Sequence, residues 1–436
     1  MKALRLIVAV AALVALIAID AVHAEQIPGL TKYPRMTKMP PPPRLKTAAL
    51  GGVNSPTADE LAAMHKGNYL LHARDGKLRK IQVEKSRLPH DPKGHAQVIY
   101  TAQDPRDKNT LYVNQISIIC KTTDGGITWT SYKRDWPRGD TGHFKILSDG
   151  TFITVLGQEN GPAEVMVSHD EARTWKKISE FPIELPGLEF VGRALPLFVL
   201  PDDTLLWTAR FDDPNSDIWF ADVPMFRSED RGMTWSTALK FHDQSPEGGI
   251  TILPSGRLFA VLRYQRRPWP EDPDNLEELT RGGSPIYNKR APYKHVFLMN
   301  SDDKGKTWTN FRQLSTFYGQ CSGFPAALSD GTVVVVRTNG YNPVKSGVAM
   351  VSYDEGETWE DEVYYMYAPA NGKAGGIGYS QSMMLDDDLI LTITGTCSTS
   401  SGHSAARGNS ILTAIRWKPE KKTRDAPSNS EGKGAR

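Results

Sequence analysis

The chain has 436 residues, 39% of them hydrophobic, and 52 basic against 50 acidic side chains for a formal net charge of +2. That is enough apolar material for a large core, without the basic excess that nucleic-acid binding requires, so nucleic acid is excluded as a favoured partner. Cys120, Cys321 and Cys397 are the only cysteines and show neither CxxC nor metal-ligand spacing, which excludes a disulfide framework and leaves no metal or cofactor to expect; Cys321 with Cys397 could oxidise outside the cytoplasm, with buried free thiols as the equal alternative.

In chain order, Lys2 and Arg5 precede an apolar run from Leu6 to about Ala18 and the small-residue signature Val22-His23-Ala24. This is the pattern of a secretory signal peptide over residues 1–24. The run is shorter than the roughly 20 residues of a membrane span. An exported protein without a membrane span is expected, periplasmic or extracellular, with an uncleaved N-terminal anchor as the alternative. Residues 25–65, centred on Pro40-Pro41-Pro42-Pro43, read as a stiff spacer. Residues 66–417 read as the globular domain and 418–436 as a disordered polar tail.

Within the domain one motif recurs with its spacing intact, from Thr122 through Asp124 to Trp129, Ser168 through Asp170 to Trp175, and Ser228 through Asp230 to Trp235; two more copies run from Ser301 through Asp303 to Trp308 and from Ser352 through Asp354 to Trp359. Recurrence at this interval is the signature of a repeat fold. In each copy the carboxylate can accept hydrogen bonds from turn amides and Gly can supply a positive φ, while the Trp is free to pack between neighbouring sheets. These residues are therefore read as hairpin staples, not catalytic groups. Between staples lies a second hairpin with an Asp-Gly type turn, as at Asp149-Gly150, Asp202-Asp203, Ser255-Gly256, Asp330-Gly331 and Asp387-Asp388. Two hairpins per repeat make a four-stranded sheet. A divergent copy over 96–113 and a last strand over 409–417 bring the number to about six. The expected fold is an all-β, six-bladed β-propeller with four-stranded antiparallel blades, whose last blade would be closed by an outer strand over Lys77–Glu84.

Residues at the start of each blade's first strand converge on the axis. Counting back from the turns gives His95, His143, Arg193, Glu247, Ser322 and Tyr379. The staples resemble the Asp boxes of the sialidase (neuraminidase) superfamily, over about residues 94–417. Gly375-Gly376-Ile377-Gly378-Tyr379-Ser380 resembles the segment presenting that family's nucleophilic tyrosine, and Glu247 with Arg263 resembles its paired glutamate and arginine. The resemblance implies an exo-glycosidase of retaining mechanism acting on sialic acid or a related acidic sugar. Glu247 would deprotonate Tyr379, because a phenol avoids the like-charge repulsion that a carboxylate nucleophile would meet at a sialoside. Asp217 matches the family's acid/base aspartate by spacing.

The cation set departs from the family's three arginines, which hold the substrate carboxylate in bidentate fashion. Gly94-His95 stands where the first is expected, Arg193 carries the nearest copy of that pattern two blades later, and Lys345 stands where the third belongs. Arg210 and Arg263 share one offset from their turns and should point the same way, whereas Arg337 is shifted by one residue and should face oppositely. Substrate-binding candidates are thus Arg193, Arg263, Arg210, Lys345, His95 and His143. A monomer is expected, with an acidic sugar or glycoconjugate as partner. The alternatives are a uronide hydrolase or lyase on the same scaffold, and a non-catalytic carbohydrate-binding propeller.

Overall fold

The computed structural model describes residues 56–93, 100–134, 143–158, 161–185, 187–190, 197–212, 222–237, 239–243, 248–266, 293–314, 320–339, 346–367, 380–397 and 410–421. The segments expected to be a signal peptide and most of a spacer lie outside these residues. The described chain starts with helix α1 (Ala58–Lys66), followed by β1 (Tyr69–Arg74), β2 (Lys77–Gln82) and β3 (Glu84–Arg87). Blade 1 is β4 (Tyr100–Asp104), β5 (Asp107–Asn114), β6 (Ile118–Thr122) and β7 (Thr130–Lys133); blade 2 is β8 (Phe144–Ile146), β9 (Phe152–Gln158), β10 (Gly161–Ser168) and β11 (Lys176–Phe181). After the short β12 (Glu189–Phe190), blade 3 is β13 (Leu197–Val199), β14 (Leu205–Thr208), β16 (Asp222–Ser228) and β17 (Leu239–Asp243), with β15 (Phe211–Asp212) pairing with β12. Blade 4 is β18 (Gly248–Ile252), β19 (Leu258–Arg266), β20 (Tyr293–Ser301) and β21 (Thr309–Gln313). Blade 5 is β22 (Gln320–Ala327), β23 (Val333–Asn339), β24 (Ser346–Ser352) and β25 (Glu362–Tyr367), and blade 6 is β26 (Gln381–Met384), β27 (Ile390–Cys397), β28 (Ser410–Trp417) and β3. All pairings within blades are antiparallel, and the fold is the expected six-bladed β-propeller.

Six apolar layers close the ring, one between each pair of successive blades. Ala102, Tyr112 and Phe144 join blades 1 and 2; Val165 and Trp207 join 2 and 3; Leu206 and Leu258 join 3 and 4. Val261 and Val335 join blades 4 and 5, Val334 and Ile415 join 5 and 6, and Leu391 and Val113 join 6 back to 1. Burying a side chain of this size contributes about 1.5–3 kcal/mol, so each layer is a substantial store of stability.

The staples form as their spelling requires. In the blade 5 copy the Ser352 hydroxyl donates to Asp354 at 2.7 Å and accepts from the Gly356 amide at 2.9 Å, while the Thr358 amide donates to Asp354 at 2.8 Å. The turn holds two successive residues at positive φ, Glu355 at 57° and Gly356 at 84°. The tryptophans are half-buried and reach across the layers: Trp235 stacks on Phe181 of blade 2, and Trp308 meets Phe241 of blade 3 edge-on.

Three boundaries differ from expectation. The closing strand of blade 6 is β3, pairing Ala414 with Ser86, whereas Lys77–Gln82 forms the outer edge of blade 5. The reason is the Asp75-Gly76 turn, at φ 50° and 70°, which folds β1 back on β2 as a hairpin and lets β1 add to β25 with Leu71 opposite Tyr365. The last residues assigned to the spacer are structured, because Thr57 and Glu60 form a capping box that starts α1 and bury its Leu61 and Met64 in the layer between blades 4 and 5. The polar tail is also tied down at its start: the Glu420 amide donates to the Tyr364 hydroxyl at 2.8 Å, and the Lys421 ammonium meets Asp330 at 2.8 Å. Among the described residues no helix is long and apolar enough to cross a membrane.

Candidate functional site

The innermost strands β4, β8, β13, β18, β22 and β26 surround an axial cavity of about 580 Å3. Every innermost strand starts on one rim and ends on the rim that carries the hairpin turns. The wall is mixed: Tyr100, Thr101, His143, Lys145, Gln381 and Ser382 line it toward the strand starts, Gln103, Lys108, Ser148 and Asp203 toward the turns, and apolar Phe198, Leu206, Ile250, Leu262 and Phe324 fill the rest. A concave, mainly apolar site with a few polar groups is what a small-molecule ligand requires.

Close packing holds these strands in place. Gly248 opens β18 where an added Cβ would lie 2.0 Å from the carbonyl oxygen of Val261 on the paired strand, so only glycine fits without displacing β18. Blade 1 is tied to blade 6 by Gln103, whose amide donates to the Met384 carbonyl at 2.8 Å. Thr101 joins three blades: its hydroxyl donates to the Gln381 carboxamide oxygen at 2.5 Å, and its carbonyl accepts from the Lys145 ammonium at 2.7 Å. His143 meets the Tyr100 ring edge-on at 65°. Burial, reinforced by the charge of Lys145, pushes the His143 imidazole well below its ordinary range, so it is neutral near pH 7. Burial also pushes the Lys145 ammonium down to about 8.

Of the candidate residues, His143 lines the cavity. Arg263 is half-buried on β19 opposite Val296, on the face shared with Val261 and turned to blade 5. Arg337, 1% exposed, shares its face with Val333 and Val335 and turns back toward blade 4, so the two arginines face oppositely as their offsets imply. Arg210 is half-buried between β14 and β15. Neither Arg210 nor Arg263 is among the described residues lining the cavity. Tyr379, Glu247, Asp217, Arg193, Lys345 and His95 lie outside the described residues. Two of them adjoin described ones on the starting rim: Glu247 is followed by Gly248, which lines the cavity, and Tyr379 by Ser380, which is buried ahead of β26.

Lys145, Thr101, Gln381 and Tyr100 were not singled out by the spacing argument, which selected only the residue heading each strand. Alternation was the usable signal: Lys145 is two residues beyond His143 and returns to the same side of the strand. Among the described residues no group of three or more His, Cys, Asp or Glu side chains is placed to hold a metal ion.

No protein-family model and no curated relative matches the sequence. Solved structures do resemble the fold. A protein of unknown function from Dyadobacter fermentans superposes with a TM-score of 0.51 at 15% identity, covering 77% of this chain and 98% of its own. The GH93 alpha-L-arabinofuranosidase of Fusarium graminearum, solved with arabinobiose, gives 0.50 at 15% identity over 76% of this chain and 97% of its own. A Hadza microbial sialidase gives 0.45 at 16% identity, over 80% and 73%. At 15% identity the first two likenesses show a shared fold and nothing finer.

Proposed function

We propose that the protein is a glycoside hydrolase of the retaining type that takes an acidic sugar at the axial cavity. The observation that carries this reading is the cavity itself, large enough for a monosaccharide and lined by polar side chains that include Thr101, His143, Lys145 and Gln381. Glu247 and Tyr379 adjoin two of those strands in sequence. In the proposed reaction Glu247 accepts the phenolic proton of Tyr379, the Tyr379 oxygen attacks the anomeric carbon, and Asp217 protonates the departing oxygen. Water, deprotonated by Asp217, then releases the sugar and returns Tyr379 to its phenol.

A second reading, a hydrolase for a neutral pentoside, is favoured by the absence of arginine from the described cavity wall and agrees with the substrate named for the arabinofuranosidase of like fold. Aryl-group release from α-sialosides, uronides and α-L-arabinofuranosides separates the two. The acidic reading expects turnover of a sialoside or uronide, lost in Tyr379→Phe and lowered about 10²- to 10⁴-fold in Glu247→Gln. Turnover of the arabinofuranoside alone establishes the second reading, and sugar binding without turnover of any glycoside overturns both.

A further inference from the structure

Lys145 is a cation lining the cavity that has no ion pair among the described residues. It stands at the middle of β8 and lines the cavity, and its ammonium is given to one neutral acceptor, the Thr101 carbonyl at 2.7 Å. The nearby carboxylates are engaged elsewhere. Asp104 of β4 holds Arg106 at 2.6 Å, and Asp203, at the turn end of the cavity, accepts from the Ser148 amide and hydroxyl, both at 2.7 Å. Among the described residues lining the cavity the only other lysine is Lys108, beyond the β4–β5 turn at the opposite rim. Half-buried in the cavity wall with a single neutral acceptor, the ammonium keeps donor capacity that an anionic ligand can take up.

The group beside it fits the same purpose. Gln381 accepts from the Thr101 hydroxyl through its carboxamide oxygen, which leaves its NH2 group to donate to a ligand. Lys145 from blade 2 and Gln381 from blade 6 therefore converge on Thr101 from either side, one offering charge and the other a neutral donor. His143, on the same side of β8, is neutral and adds no competing charge.

We propose that Lys145, with the Gln381 carboxamide beside it, is the binding site for the carboxylate of the sugar that occupies the axial cavity, whose described wall holds no arginine. This rests on the acidic-sugar reading above but not on its chemistry. The test is therefore a binding measurement in the Tyr379→Phe background, where loss of turnover leaves binding readable. Titration calorimetry at pH 6.5 with free sialic acid and with glucuronic acid, and with L-arabinose as neutral control, is compared between Tyr379→Phe and the same protein carrying Lys145→Met or Lys145→Arg. Lys145→Met is expected to weaken one acidic sugar about 10- to 100-fold with arabinose unchanged, and Lys145→Arg to recover part of the loss. Acidic-sugar affinity unchanged in Lys145→Met, or no acidic-sugar binding to the Tyr379→Phe protein, overturns the proposal. Inorganic sulfate that matches the sugar's affinity overturns it as well, since the site would then hold a free anion.

Should Lys145→Met fail to fold by thermal unfolding, the pH dependence of the Tyr379→Phe protein decides. Acidic-sugar affinity should fall between pH 7 and 9 as Lys145 gives up its proton; the described titratable groups beside it are His143, just ahead of its strand, and Tyr100, which packs on His143, with no titratable residue on β9 or β13. A flat profile contradicts the assignment.

Discussion

The box aspartates show how one carboxylate can organise a turn. Burial opposes the charge of Asp124, but hydrogen bonds from the Thr128 side chain and amide and from Thr122 outweigh it and hold the group down to about 2; Asp170 is held at about 2 in the same way by Thr174 and Ser168. A carboxylate with a lowered folded pKa stabilises the protein fully above its unfolded pKa, near 4, and that stabilisation is lost as pH falls through the folded value. Thermal unfolding followed from pH 5 to pH 2 should show the midpoint dropping steeply below pH 4. Asp354→Ala, which leaves the Ser352 hydroxyl and the Thr358 amide without their acceptor, should cost about 1–3 kcal/mol at pH 7 and flatten that acid limb. These aspartates were legible in the sequence because five copies with one spacing leave little doubt of their role. Lys145 was not legible, since a single lysine in a short apolar strand has no second copy against which to be compared. Glu247 and Tyr379 were reached by counting back from the inner turns and took their roles, as Asp217 did its own, from a family resemblance; all three lie outside the described residues.

At the scale of elements, alternating apolar strands and Asp-Gly turns were sufficient for the blades, but the N-terminal additions escaped. Asp75-Gly76 is a hairpin signal as strong as those inside the blades, yet Lys77–Gln82 reads as a single edge strand because half of its side chains are charged. What binds the added hairpin is a buried polar group. The Glu362 carboxylate, 1% exposed, accepts from Arg74 Nε and from the Tyr353 hydroxyl at 2.8 Å, and lies 2.7 Å from His72 Nε2. His72 also stacks on Tyr364 with ring centroids 4.1 Å apart. Replacing Glu362 with alanine leaves the Arg74 charge buried without its partner, a loss of about 3–5 kcal/mol. Denaturant unfolding should register it, and amide exchange should quicken first in β1 and β2.

At the scale of the whole molecule, the ring depends on β3. The inner three strands of blade 6 come from the end of the domain and the fourth from its beginning, so a chain starting at Leu88 would expose the edge of β28 and open the layer between blades 6 and 1. Such an edge invites pairing with other chains. The expected result is loss of the cooperative thermal transition and aggregation on size-exclusion chromatography, with recovery when a peptide spanning residues 56–87 is supplied in trans. A monomeric truncated protein that melts as the full chain does would show that the six apolar layers suffice without closure.

That arrangement also sets a timetable. Arg74 and Glu420, which meet beside Tyr353, are 346 residues apart in the chain, and ribosomes add about 5–20 residues per second. β3 must therefore wait some tens of seconds for its partner β28, the strand made last, and the finished ring cannot exist on a nascent chain. If the chain is threaded through a membrane during or after synthesis, the same waiting keeps it in a loose form that a narrow channel accepts, so that the lateness of closure would favour delivery before folding.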